Sequence, residues 1–192
     1  GDVAAMIAEP IQGVGGFATP PDGFFGAMKK ELDNRGVLFI SDEVQTGWGR
    51  TGENFWGYQA HGIVPDMMTF AKGVGNGLAL GGVVGRAEVM EAMPANSIST
   101  FGGNPIASAG ALATINYMLE HDTQKNSKEM GERLAKGISE AVSDSSVIAE
   151  TRGRGLMRAI ETVIPDSIEP NAPAAGQLME ATRAAGLLIG KG

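Results

Sequence analysis

The sequence predicts an α/β fold in which part of a large, mostly parallel sheet is followed by most of a smaller α+β domain. Short apolar runs bounded by turn residues alternate with longer helical patterns, as expected when strands are covered on both faces. The chain has 29 glycines among 192 residues, and they cluster beside these runs, which favours tight turns at strand ends. After residue 120 the pattern changes to charged, amphipathic segments, so we place a domain boundary there, between residues 1–120 and 121–192.

The first domain is predicted from four apolar runs and two helical patterns. A helix over residues 24–34 ends before Gly36, which is placed to act as its C-terminal cap. Pro105 occupies the favoured first turn of an Ala-rich helix that runs to residue 120. The four apolar runs predict strands at residues 3–8, 37–40, 67–71 and 80–84.

The second domain begins with a charged helix. Asp122 or Thr123 can cap it, and Met130, Leu134 and Ile138 recur every four residues along one face to about residue 143. The remaining elements are strands at 147–151 and 156–163 around a turn at 152–155, a helix at 174–185 capped by Gly186, and the beginning of a strand at 187–190.

Composition excludes several classes of function. Lys and Arg number 15 against 22 Asp and Glu, a net charge of −7, which argues against nucleic-acid and anionic-membrane partners. Without cysteine and with two histidines, the chain predicts no disulfide, no metal site and no thiol nucleophile. No window reaches the roughly 18 unbroken apolar residues of a membrane span, so we expect a soluble, cytoplasmic protein. A mitochondrial location stays open, because a targeting segment would precede Gly1.

Two charged residues stand at the ends of predicted strands, where ligands bind in open α/β sheets. Asp42 ends one strand, and Lys72 follows another and enters a glycine-rich loop at residues 73–77. From position alone, the pair fits a salt bridge as well as a reactive site. A lysine in such a loop can form a Schiff base, and pyridoxal phosphate chemistry further needs a carboxylate for the ring nitrogen and an apolar contact on the ring. Asp42 can supply the carboxylate, and Val44 points to the same side if the chain stays extended.

A phosphate site is predicted at residues 99–105, which read Ser-Thr-Phe-Gly-Gly-Asn-Pro at the start of the Ala-rich helix. A helix N-terminus with two glycines and two hydroxyls suits an anion in geometry and dipole. An ordinary capped loop is the alternative interpretation.

Several stretches match one known family in the same order along the chain. They are residues 9–13 (Glu-Pro-Ile-Gln-Gly), 39–47 (Phe-Ile-Ser-Asp-Glu-Val-Gln-Thr-Gly), 65–66 (Pro-Asp), Lys72, 100–105 (Thr-Phe-Gly-Gly-Asn-Pro) and 152–156 (Arg-Gly-Arg-Gly-Leu). The sequence therefore resembles the class III pyridoxal-phosphate aminotransferases over nearly its whole length. The resemblance implies the fold type I architecture, with the C-terminal part of the large cofactor domain followed by most of the small domain.

The resemblance also implies roles for individual residues. Lys72 would hold pyridoxal 5'-phosphate as a Schiff base and carry the transferred proton, and Asp42 would pair with the pyridinium nitrogen. Val44 would pack on the ring, and Gln45 would lie near the phenolic oxygen. Thr100 would reach the phosphate of the neighbouring subunit, which implies a homodimer.

Glu9 corresponds in the family to a glutamate that pairs with a substrate-binding arginine and gates between the two half-reactions. We expect that arginine beyond the end of this chain, and the glycine-rich phosphate loop and ring-stacking aromatic before Gly1. The chain would then carry only the lysine half of the site and be inactive alone.

The implied reaction moves an amino group from a small α- or ω-amino acid to a 2-oxo acid. Residues 54–59 and 100–105 resemble alanine:glyoxylate and β-alanine:pyruvate enzymes, whereas residues 85–90 resemble 4-aminobutyrate transaminases. Two alternatives stay open: an aminomutase on the same scaffold, and a non-catalytic dimerisation or binding fragment whose lysine is structural.

Overall fold

The computed structural model describes residues 2–191. Within that range the strands are β1 (Ala5–Ala8), β2 (Leu38–Asp42), β3 (Met67–Phe70), β4 (Gly82–Gly85), β5 (Ile148–Arg154) and β6 (Met157–Thr162), and the helices are α1 (Phe24–Asn34), α2 (Ala87–Glu91), α3 (Pro105–Glu120), α4 (Thr123–Ala141) and α5 (Ala172–Ala184). Two short 3-10 turns cover Gly57–His61 and Lys72–Val74. Apart from the strand predicted at 187–190, the ends of the predicted helices and strands agree with these bounds to within three residues, whereas α2 was not predicted.

The larger sheet has the order β1-β2-β3-β4. Its first three strands are parallel, with Ala8 opposite Ser41 and Asp42 opposite Thr69, so their carboxyl ends meet at one edge of the sheet. The predicted parallel arrangement is confirmed for these strands. The fourth strand is antiparallel to β3. The connection over residues 71–81 explains the reversal, because a parallel return needs a crossover of about a dozen residues or more.

Helix α1 covers one face of this sheet. Phe25 is 2% exposed and lies against Phe39 of β2, with ring centroids 5.8 Å apart. The helix ends as predicted, with Gly36 at φ 65°, and the N–H groups of Gly36 and Val37 donate to carbonyls of the last helical turn. This ending sends the chain directly into β2.

Asp66, directly before β3, carries a buried carboxylate. Its side chain is 5% exposed and accepts hydrogen bonds from the Phe39 N–H and from Arg86 Nη1, both at 2.8 Å, and Lys29 Nζ lies 3.4 Å from its Oδ2. Burial alone would raise the pKa of Asp66, but the hydrogen bond from Phe39 and the charges of Arg86 and Lys29 hold it below its ordinary value of 3.8. The carboxylate thus joins α1, β2 and the segment before α2.

The second, two-stranded sheet is the antiparallel hairpin of β5 and β6. The turn predicted at residues 152–155 is wrong in position, because Arg152, Gly153 and Arg154 pair with residues of β6 and the chain reverses at Gly155 and Leu156. The predicted turn residues are strand residues here, since the ladder runs to the pair Arg154 and Met157.

Helix α4 packs against this hairpin and begins as predicted, with the Asp122 carboxylate accepting from the Lys125 N–H. Gly131 allows the close approach, because a Cβ there would overlap the carbonyl of Gly155. Ser127 of the same helix donates to the Arg50 carbonyl at 2.7 Å, which ties the hairpin and helix to the loop after β2. The domain boundary near residue 120 stays a prediction.

Helix α5 ends at Ala184, and Gly186 follows with φ 85°, as its predicted cap requires. The strand predicted at 187–190 is wrong, because the structure assigns no strand to these residues. The Leu187 N–H instead donates to the Thr182 carbonyl at 2.8 Å, completing the helix cap. Among the helices within residues 2–191, none has the length and apolar character needed to cross a bilayer.

We expect Gly131→Ala to destabilise the protein and Gly137→Ala to leave it as stable or stabilise it. Both glycines lie in α4, but a Cβ at Gly131 meets the Gly155 backbone, whereas nothing lies within 4 Å of a Cβ at Gly137. Alanine is favoured over glycine in a helix by about 1 kcal/mol, and this gain is the same at both positions. The two variants therefore differ only in the clash at residue 131. Urea unfolding of the intact protein measures both, and equal stability of the two variants would contradict the close packing.

We expect Asp66→Asn to lower the free energy of unfolding by about 1 to 3 kcal/mol at pH 7, because Arg86 and Lys29 lose a buried anionic partner. The stabilisation from Asp66 is complete above its ordinary pKa of 3.8 and is lost as pH falls through its lower folded pKa. The free energies of unfolding of wild type and variant should therefore become equal in strongly acidic solution. Denaturant unfolding at several pH values checks this, and a gap that does not narrow below pH 3.8 would refute it.

Candidate active site

The carboxyl edge of the larger sheet brings together three of the predicted site residues. Glu9 directly follows β1, Asp42 is the last residue of β2, and Lys72 lies two residues after β3. Because the three strands are parallel and adjacent, all three side chains belong to the same edge. The sequence placed two of them at strand ends, and the structure makes those ends neighbours.

Asp42 is half-buried, and its Oδ1 accepts a hydrogen bond from the Val44 N–H at 3.0 Å. Its Oδ2 accepts no hydrogen bond from any residue that the structure describes, so one oxygen stays available to an outside donor. The same-side placement of Val44 depends on the chain staying extended beyond Asp42. The strand ends at Asp42, and the Gly47 N–H returns to the Glu43 carbonyl, so the chain turns there.

Glu9 and Gln45 come from different loops but meet through Gly13. The Gly13 N–H donates to Glu9 Oε2 at 2.9 Å, and a Cβ on Gly13 would overlap the Gln45 carboxamide. Any side chain at residue 13 would therefore force the Gln45 carboxamide out of this position. The contact places the glutamate after β1 beside the glutamine after β2.

Lys72 has an unusual backbone for a lysine. Its φ is 49°, in the left-handed region, where non-glycine residues carry a strain of about 1 to 3 kcal/mol. Val74, the last residue of this 3-10 turn, is 2% exposed and anchors the turn in the core. The Lys72 side chain is exposed, and within residues 2–191 no ion pair joins it to a carboxylate, so the alternative of a salt bridge with Asp42 is not formed.

An aromatic cluster supports the lysine turn. Trp48 packs against Trp56, Phe55 and Phe70, with centroid distances of 4.7, 5.6 and 5.4 Å, and its ring edge faces Gly73. The two tryptophans thus serve packing in this structure. The indole Nε1 of Trp48 is buried and has no hydrogen-bond partner among the residues described.

Thr100 lies in an exposed loop before α3 and shares no hydrogen bond with the three edge residues in the described part of the chain. Asn104 caps α3 by accepting from the Ala107 N–H at 2.9 Å, and Ser99 accepts from the Gly102 N–H at 3.0 Å. The local geometry is therefore that of a capped loop. A role for Thr100 toward a neighbouring subunit stays a prediction.

Sequence reasoning missed Glu43, which is fully buried beside Asp42. Its carboxylate accepts four hydrogen bonds: from Ser41 Oγ at 3.1 Å, Thr46 Oγ1 at 2.6 Å, the Gly57 N–H at 2.7 Å and the Tyr58 N–H at 2.8 Å. The available signal was the flanking hydroxyls at positions 41 and 46, two and three residues away. The backbone donors come from residues more than a dozen positions later and could not be read from the pattern.

Comparison with known proteins identifies the family. The chain matches the family described as aminotransferase class-III over residues 1–192, and it therefore belongs to the class III aminotransferases. It is 42% identical over 189 residues to 5-aminovalerate aminotransferase DavT of Pseudomonas putida, covering 98% of this chain and 44% of that protein. It is 39% identical over 194 residues to the mitochondrial alanine–glyoxylate aminotransferase 2 homolog 2 of Arabidopsis thaliana, covering 100% of this chain and 40% of that protein.

The fold is likewise that of solved members. A phospholyase from Arthrobacter in complex with phosphoethanolamine superposes with a TM-score of 0.92 at 32% identity, over 98% of this chain and 46% of that chain. The predicted family and α/β fold are confirmed. The chain spans less than half the length of these relatives.

We expect Glu43→Gln to destabilise the intact protein by about 2 to 4 kcal/mol, because an amide NH₂ would face two donors where the carboxylate accepts. Glu129→Gln on the exposed surface of α4 is the matched control and should change stability by less than about 0.5 kcal/mol. Thermal and urea unfolding measure both. Equal losses for the two variants would show that the buried hydrogen bonds contribute nothing specific.

Proposed function

We propose that the protein is a pyridoxal-phosphate-dependent transaminase that moves an amino group from a small α- or ω-amino acid to a 2-oxo acid. The observation that carries the proposal is the meeting of Glu9, Asp42 and Lys72 at one sheet edge in a member of the class III aminotransferases. Edges of this kind are where α/β proteins bind their ligands.

The residues at this edge fit the cofactor by their chemistry. Asp42 offers a carboxylate with one oxygen free of hydrogen bonds from the described residues, and Lys72 offers an exposed amine on a strained turn. Asp42, Val44, Gln45 and Lys72 would hold the cofactor in this chain, and Thr100 would contribute to the site of a neighbouring subunit. When bound, pyridoxal phosphate supplies an electron sink for the carbanion of an amino acid.

Each side chain has a distinct task in this proposal. The negative charge of Asp42 favours the protonated form of a ring nitrogen that it faces. Lys72 Nζ would hold the cofactor, and its free amine would accept a proton from the substrate carbon and return it at another atom. Glu9, held by Gly13 beside Gln45, would pair with a substrate-binding arginine and so gate between the two half-reactions.

The substrate class is the finer part of the proposal. One relative is named for 5-aminovalerate and another for alanine and glyoxylate, which are small ω- and α-amino substrates and a 2-oxo acid. We infer an amino donor of this size and a homodimeric enzyme. We place it in the cytoplasm, with the mitochondrion as the alternative because one relative is named mitochondrial.

The first test is covalent attachment at Lys72. The intact protein is incubated with pyridoxal phosphate, reduced with borohydride and mapped by peptide mass. Wild type should carry the label on Lys72, Lys72→Ala should carry none, and Lys30→Ala, which removes an exposed lysine of α1, should label as wild type does. An unlabelled Lys72 in the wild type would refute the proposal and favour the non-catalytic fragment.

The second measurement separates a transaminase from other reactions on this fold. We expect turnover of 5-aminovalerate, 4-aminobutyrate, β-alanine or L-alanine only when a 2-oxo acid is present, and a fall of about 100- to 10,000-fold in Lys72→Ala. Product formed without an acceptor would indicate an aminomutase or a lyase instead.

A further inference from the structure

The loop that follows β1 is a small closed structure. The Gln12 N–H donates to the Ala18 carbonyl at 3.1 Å, and the Phe17 N–H donates to the Gln12 carbonyl at 2.9 Å. Glu9 lies at the base of this loop, which we call the Glu9 loop and define as residues 9–18. Its start is fastened by the hydrogen bond from the Gly13 N–H to Glu9, but Gly13 to Gly16 form a glycine-rich tip that holds its shape weakly by itself.

Arg152 reaches the tip of this loop from a distant part of the chain. Its Nε donates to the Gly16 carbonyl at 2.8 Å, across a sequence separation of 136 residues. Its Nη1 donates to Glu150 Oε2 at 2.9 Å, and its Nη2 pairs with Glu161 on the facing strand. The arginine side chain is 16% exposed and its hydrogen bond to Gly16 is partly buried, whereas the Glu150 carboxylate is 58% exposed.

The geometry of the guanidinium makes this contact rigid. Each of its three nitrogens has a partner, and two of those partners, Glu150 and Glu161, lie on β5 and β6. The hairpin therefore fixes the plane of the guanidinium group. The Gly16 carbonyl is then held at a set position relative to the hairpin. The Glu9 loop therefore has two fastening points, one at Gly13 and one at Gly16.

We propose that Arg152 is a positioning residue for Glu9: it couples the β5–β6 hairpin to the Glu9 loop, so that the hairpin sets where the Glu9 carboxylate stands at the active edge. The proposal rests on the proposed function for its effect on catalysis. Its structural part, that Arg152 holds the loop, stands on the contacts alone.

A matched control lies in the same hairpin. Arg158 donates from Nε to the Gly155 carbonyl at 3.0 Å and from Nη1 to the Gly153 carbonyl at 2.8 Å, both within the hairpin. Arg158→Met removes an arginine that also donates to backbone carbonyls from the same hairpin, but that has no contact with residues 9–18 among these hydrogen bonds. Arg152→Met removes the link to the loop.

Hydrogen exchange of the protein without added cofactor tests the structural part. In Arg152→Met we expect the amides of residues 12–18 to exchange about tenfold faster or more than in wild type, because the fastening at Gly16 is gone. Arg158→Met should leave this peptide unchanged. Unchanged exchange in Arg152→Met, or equal acceleration in both variants, would overturn the proposal.

A double-mutant cycle tests the catalytic part. Arg152→Met should lower kcat/KM for transamination by about tenfold while the labelled fraction of Lys72 stays at the wild-type level. In a Glu9→Gln background the same change should cost less than about twofold, because Arg152 acts through Glu9. Arg152→Lys should restore little, since an ammonium cannot serve the carbonyl and both carboxylates at once.

Additive losses in the cycle, or loss of cofactor attachment in Arg152→Met, would overturn the positioning role. Failure of the proposed function has a different signature, namely wild-type protein that neither labels at Lys72 nor transaminates. In that case the hydrogen-exchange comparison still decides whether Arg152 holds the Glu9 loop.

Discussion

The buried carboxylate of Glu43 makes the interactions on which the carboxyl edge of the larger sheet depends. It accepts two hydroxyl and two backbone hydrogen bonds, and its own N–H donates to the Thr69 carbonyl at 2.9 Å. One side chain thus fixes the end of β2 and the turn that follows it, and binds both to the 3-10 turn Gly57–His61. A buried charge is tolerated only when its acceptor sites are filled, so these segments have a single compatible arrangement. The adjacent Asp42 is left facing outward with an oxygen free among the described contacts.

The edge combines rigid support with one strained element. The aromatic cluster and buried Val74 over-determine the turn at Lys72, which is how a left-handed lysine can persist. On the other side, the Glu9 loop is glycine-rich and depends on contacts from elsewhere in the chain. The position of Lys72 is therefore fixed by local packing, whereas the position of Glu9 depends on the contact between its loop and the β5–β6 hairpin.

Much of this arrangement could be predicted from sequence because its signals are local. The bounds of α1, the Gly36 cap and the Asp122 cap follow from periodicity and capping residues. The strand-end positions of Asp42 and Lys72 follow from apolar runs that stop at charged residues. The family motifs identified the candidate site, although the roles of its residues are still proposals.

The failures share a cause, which is dependence on contacts distant in sequence. The reversal of β4, the true hairpin turn at Gly155, the burial of Glu43 and the link from Arg152 to Gly16 are settled by pairing partners that no local pattern reveals. Leu187 is the exception, because the hydrogen bond that replaces the predicted strand is local and runs to the Thr182 carbonyl, five residues earlier in α5.

The aromatic cluster has a consequence for spectroscopy. The chain has two tryptophans, Trp48 and Trp56, whose ring centroids are 4.7 Å apart, and Trp48 lies against Gly73 of the lysine turn. The indole fluorescence of this part of the protein therefore comes from a pair of rings next to that turn.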